Sequence, residues 1–189
     1  MPEEAASVLP VAARLKLRQD RWLETLGKVF LVSEGYIVRR PPSLLEDLYK
    51  VVTVEIFGNG RCFVVVIIEP PVEEENRSAC WESLDALQRE DWFQPVRGQP
   101  RNQDIYGALQ MGDEVIFTKK GQGPPAKDGG HVPASRTFEA ETVLSWDADI
   151  SVIEFHLEQV KSKIQIARLR RLLGSVSRMV VRQGVFEFA

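Results

Sequence analysis

Arg168, Arg171, Ser175, Arg178 and Arg182 recur at alternating steps of three and four, the spacing that places side chains on one face of an α-helix. Arginine presents a planar fork of donors that matches phosphate oxygens and carboxylates, so a row of this kind is chemically an anion-binding surface. Lys161 and Lys163 stand just before it. Between Glu158 and Arg182 seven basic residues meet one acid, a local charge of +6. Phosphate contact of this sort gives salt-dependent, sequence-tolerant affinity for nucleic acid. The blander reading is a solvated face, or a face paired with an acidic stretch of the same or another subunit. Charge runs are usually solvated, and no aromatic residues interleave for base stacking.

Covalent and metal chemistry have few carriers. The nucleophile candidates are Cys62 and Cys80, with His131 and His156 as bases. Cys62 opens an apolar run and Cys80 lies on an apolar helical face, whereas a reactive thiol sits in an exposed, electropositive place. No nucleophile elbow or oxyanion-hole signature marks a Cys-His or Ser-His pair, even with Ser145 and Asp149 upstream of His156. Adjacent Glu73, Glu74 and Glu75 point to opposite sides of an extended chain, so they form no metal set. Asp104, Asp113, Glu114, Lys119 and Lys120 resemble an acid-plus-lysine nuclease grouping in composition only. Gly121-Gln122-Gly123-Pro124-Pro125-Ala126 fits a dinucleotide pattern nominally, but two prolines remove the amides that would cradle a pyrophosphate. No catalytic residue, metal ligand or cofactor is assigned.

The whole chain has 189 residues, 24 Lys and Arg against 27 Asp and Glu, two cysteines and two histidines. Two cysteines exclude a disulfide-stapled scaffold, and 44% hydrophobic residues suffice for a sizeable core. The net charge of −3 is a cancellation. Residues 69–94 carry eight acids against two arginines, and this −6 offsets the C-terminal +6. The N-terminal segment lacks a basic region followed by an apolar one, and the longest apolar run, Cys62 to Ile68, is far short of the about 20 residues a spanning helix needs. The expectation is an intracellular protein, in cytoplasm or nucleus, without a membrane partner.

The elements that must position these residues follow from periodicity. Residues 10–32 read as a helix with Val11, Leu15, Trp22, Leu26 and Val29 on one face, closed by Gly35 and Pro41-Pro42. Tyr49 to Phe57 and Arg61 to Ile68 read as a hairpin about Gly58-Asn59-Gly60. The second strand is apolar on both sides, which predicts helices over each sheet face or an oligomer interface over one. Ser78 caps a helix over 79–93 that buries Cys80, Trp81, Leu84 and Leu87. Residues 95–112 read as loop, 113–119 as strand, 121–133 as a flexible Gly/Pro loop and 137–146 as strand.

The last helix, 150–182, begins after Asp147 or Asp149 and carries two apolar stripes. Ile153, Leu157, Val160, Ile164 and Ala167 form the first. Ile166, Leu169, Leu173, Val176 and Val180 form the second, on the opposite side, and the arginine row continues the face the first began. Gly174 is a position where the helix can end, leaving 175–183 separate and Val185 to Phe188 as a short strand. The expected fold is one α+β domain over 1–189: an antiparallel sheet, made of the hairpin and two or three further strands, flanked by an N-terminal, a middle and a long C-terminal helix. In element order alone it resembles profilin-like and roadblock-like modules, frequent dimerisation platforms.

Three functional readings follow. The first is a non-enzymatic interaction protein, a small complex subunit or adaptor. It docks through its amphipathic helices and self-associates, as a homodimer, with Ile166, Leu169, Leu173, Val176 and Val180 as the interface. The second is nucleic-acid binding through Lys161, Lys163, Arg168, Arg171, Arg178 and Arg182. The third is an enzyme whose site is assembled from distant residues.

Overall fold

The computed structural model describes residues 9–42, 48–58, 60–94, 99, 103–120, 135–137 and 143–184, with the backbone alone for 120, 135–137 and 174–184. Helix α1 spans Val11–Val29. Strands β1 (Tyr36–Arg39), β2 (Tyr49–Ile56) and β3 (Gly60–Ile68) follow as an antiparallel meander. Helix α2 spans Arg77–Leu87 and runs on as a wider turn over Gln88–Trp92. It carries the chain to β4 (Tyr106–Met111), which pairs with β3 in parallel. Strand β5 (Glu114–Lys120) returns antiparallel, and β6 (Ser135–Thr137) and β7 (Leu144–Ser145) both pair with it. Helix α3 occupies Ile150–Gly184.

The protein is thus α+β, and among the described residues its sheet is mixed, in the order β1-β2-β3-β4-β5-β6, with β7 also on β5. The sheet is mostly antiparallel, as expected; the expectation is corrected in the one parallel pair, β3–β4, and in the number of strands beyond the hairpin. A strand apolar on both faces belongs at the sheet centre, and β3 is central because α2 crosses over to place β4 beside it. Helices do cover both faces. Leu15, Trp22 and Leu26 of α1 and Ile153, Leu157 and Val160 of α3 pack with Phe63, Val65 and Ile67 on one side. Leu84 of α2, with Phe93 and Ile105, packs with Val64 and Val66 on the other.

Residues 95–112 do not all form a loop. Gly107, which suggested one, lies in β4, where six consecutive residues are buried. A Cβ there would stand 2.5 Å from Gln88 Nε2, 2.7 Å from the Val64 carbonyl oxygen and 2.9 Å from Thr118 Oγ1. Gln88 uses that space. Its amide donates to the carbonyls of Val64 (3.1 Å) and Ala108 (3.2 Å), and its oxygen accepts the Thr118 hydroxyl at 2.7 Å. Glycine here serves close approach, not a turn.

Smaller differences concern single residues and one strand. Val11, on the apolar face of α1, is exposed. Strand β1 was not anticipated; it fits between Gly35, in the left-handed region at φ 83°, and Pro41. Cys80 is only half-buried, and Ser78 lies inside α2, which opens after Asn76. The segments 121–133, 138–142 and Val185 to Phe188 lie outside the described residues.

Candidate functional site

The start of α3 is fixed by Asp149. Its carbonyl accepts the amides of Val152 and Ile153, each at 2.9 Å, while its carboxylate takes the Ser145 amide at 2.9 Å. Trp22 of α1 meets Trp146 edge-to-face, with ring centroids 4.5 Å apart. The Trp22 indole donates to Gln110 of β4 at 2.8 Å. α1, the sheet and the root of α3 are therefore locked together, and the direction of α3 is set by packing. Its first stripe, Ile153, Leu157, Val160 and Ile164, is buried against this frame, and Ala167 is half-buried.

Beyond Ile164 the helix keeps its course, through Gly174 to Gly184, so residues 175–183 do not form a separate element. On the face that continues the first stripe, arginine replaces the branched aliphatics. Arg168 donates to the Glu34 carbonyl at 3.4 Å and Arg171 to the Gln103 side-chain oxygen at 3.3 Å. Lys161, largely buried, pairs with the Glu34 carboxylate at 2.7 Å. Lys163, Arg168, Arg170 and Arg171 line a groove of about 700 Å³ whose other wall includes Ile56, Gln103, Asp104 and Tyr106. Asp104 is ion-paired with Lys119 at 3.0 Å, and the Lys119 ammonium also sits over the Tyr106 ring at 5.4 Å. Burial pulls that ammonium down, but Asp104 and the ring hydroxyl of Tyr106 outweigh it, so Lys119 titrates above the usual lysine range. The acid in the groove wall is neutralised, and four cations set its charge.

Of the cations singled out by the sequence, Lys163, Arg168 and Arg171 line this groove, whereas Lys161, two residues from Lys163 and so on a different part of the helix, pairs with Glu34. Arg178 and Arg182 lie on the same helix, with side chains outside the described residues. The acidic stretch is not beside them: α2 packs on the opposite sheet face from α3. Glu69, its first acid, pairs with Arg14 (3.2 Å) and with Arg18 of α1. The groove partners Glu34, Gln103 and Tyr106 were not anticipated. They come from two segments remote from Arg168 in sequence, Glu34 from one and Gln103 with Tyr106 from the other, and only the fold brings them near it.

The opposite face of α3 is exposed and apolar. Ile166, which also borders the groove, is 49% exposed, Leu169 59% and Leu173 67%, and Val152, Phe155 and Leu172 add to them. The side chains of Val176 and Val180 fall outside the described residues. Exposed large apolar side chains in a contiguous row mark an interaction surface more often than scattered ones do.

The other chemical candidates do not converge. Cys62 is fully buried near the Val54 carbonyl, and burial pushes its thiol far above the usual range. His156 stands against Phe117, with ring centroids 5.2 Å apart, and its Nδ1 is buried without a hydrogen bond among the described residues. Ser145 bonds the Asp113 carboxylate instead of a histidine. Asp104 and Lys119 sit at one end of the β4–β5 pair. Asp113 and Glu114 sit at the other, where Glu114 pairs with Arg77 at 2.7 Å. His131 lies outside the described residues. Among those described, no three His, Cys, Asp or Glu side chains gather to hold a metal, and no helix is long and apolar enough to cross a membrane.

No family model matches the chain, no curated protein matches its sequence, and no solved structure matches its fold.

Proposed function

We propose that the protein is a non-enzymatic interaction protein, a small complex subunit or adaptor, that docks and self-associates through the outer face of α3. The observation that carries this is the reversal of polarity along one helix. The inner face is buried as far as Ile164, and from Ile166 the apolar residues face water. Leaving three large aliphatics about half exposed forgoes about 1–2 kcal/mol each relative to full burial, which a partner surface recovers. Light scattering over a concentration series tests it. The expected result is a mass above the monomer that falls to the monomer on Leu169→Glu with the helical content unchanged. A wild-type chain monomeric at every concentration, or a variant that associates as before, refutes it.

A second reading, nucleic-acid binding, is favoured by the groove, because Lys163, Arg168, Arg170 and Arg171 converge there with a neutralised acid. Its expected signature is binding at low salt that weakens steeply as salt rises and drops on Arg170→Ala with Arg171→Ala. Retention of full affinity in that double variant sinks it.

A further inference from the structure

We infer that the outer face of α3 is the seam of a parallel, in-register, two-stranded coiled coil between two copies of this chain; the inference rests on the docking reading above and specifies its partner and geometry. With Val152 as the first a position of a heptad, the a sites are Val152, Gln159, Ile166, Leu173 and Val180. The d sites are Phe155, Ser162, Leu169 and Val176. Seven of these nine are apolar, and Val152, Phe155, Ile166, Leu169 and Leu173 are exposed. The seam runs for about 42 Å, four heptads at 1.5 Å per residue. A seven-residue apolar repeat, here interrupted only at Gln159 and Ser162, is the pattern by which two helices wind about each other.

The same register accounts for the other face. Ile153, Leu157, Val160 and Ile164, which bury against the sheet, fall at b and f, directly across the helix from the seam. Each copy would carry its own body on the outside of the pair. The arginines also stay out: Arg168 is at c and Arg171 at f, so their charge does not oppose pairing.

Charge at the flanking positions chooses the partner and its direction. The e sites Lys163 and Arg170 are basic, while the g site Glu158 is acidic. Parallel pairing sets each g site against the e site five residues on in the second copy, so Glu158 meets Lys163 twice by symmetry. Antiparallel pairing sets e against e, bringing basic residues together. Gln159 and Ser162 form two successive polar layers in the first half of the seam, which penalise a one-heptad slip that would set them against Ile166 and Leu169.

Cysteine cross-linking tests the arrangement in the full chain carrying Cys80→Ser, since Cys62 is fully buried. Val152→Cys and Ser162→Cys are each expected to form a disulfide-linked dimer on mild oxidation, while a mixture of Val152→Cys and Val176→Cys chains, an a site and a d site that antiparallel pairing would bring together, gives no mixed dimer. Reversing the flanking charge by Glu158→Lys weakens the dimer roughly tenfold, and adding Lys163→Glu restores it. A dimer that yields the 152–176 mixed product, or that is not restored by the second reversal, overturns the parallel seam but leaves docking through α3 intact. A chain monomeric throughout overturns both.

Discussion

Replacing Gly107 with alanine probes the point where α2, β3, β4 and β5 are tied together. The new methyl carbon would stand 2.5 Å from Gln88 Nε2, 2.9 Å from Thr118 Oγ1 and 2.7 Å from the Val64 backbone oxygen. Gln88 must swing away. It then loses two bonds to strand carbonyls, about 1 kcal/mol each, and leaves the buried Thr118 hydroxyl without its acceptor at a cost of about 1–2 kcal/mol. The Val64 oxygen cannot swing, so the β3–β4 spacing must also open. The total is about 3–5 kcal/mol, a large share of the stability of a domain of this size. Urea unfolding followed by far-UV circular dichroism measures it, and at about 2 kcal/mol per molar the midpoint falls by about 2 M. Gly27→Ala is the control: that site lies inside α1 with nothing within 4 Å, and alanine there stabilises by up to about 1 kcal/mol. Removing Gln88 as well, in a Gly107→Ala, Gln88→Ala chain, does not restore the wild-type midpoint, because the Val64 clash persists. A Gly107→Ala chain within about 1 kcal/mol of wild type would show that β4 does not need this close approach.

Other consequences concern the thiols and the root of α3. In the native protein a thiol reagent is expected to modify Cys80 and spare Cys62 until unfolding; rapid labelling that persists in Cys80→Ser contradicts the burial of Cys62. Burial raises the Cys62 thiol and the phenols of Tyr36 and Tyr106 above their usual ranges. The unfolded chain therefore loses these protons first, and their stabilising contribution, complete below about pH 8, is lost as pH rises further. A midpoint denaturant concentration that stays level or rises above about pH 9 contradicts this sign. Glu34→Ala leaves the largely buried Lys161 ammonium without its carboxylate and costs about 1–2 kcal/mol, whereas Glu24→Ala, at an exposed pair with Lys28, leaves the unfolding midpoint where it was. Equal effects of the two substitutions in urea unfolding refute that ranking.

What the sequence determined on its own was whatever is local. The 3.6-residue period of α1 and α3, the glycines at 58 and 60 with φ 75° and 81°, and the two-sided apolar character of β3 all followed from nearest-neighbour chemistry. So did the placing of Arg168 and Arg171 opposite Ile166 and Leu169, because helical phase is a property of spacing alone. The tertiary structure decided what spacing cannot express. That β4 is a buried strand depends on Gln88 reaching across from another element, so its glycine looked like a loop signal. The parallel β3–β4 pairing depends on a crossover, and a strand's own residues do not record its neighbour's direction. The groove depends on Glu34, Gln103 and Tyr106, which are remote in sequence from the arginines they face. The chain by itself marked α3 as two-faced, and the position of the sheet decided which face is buried and which is left exposed.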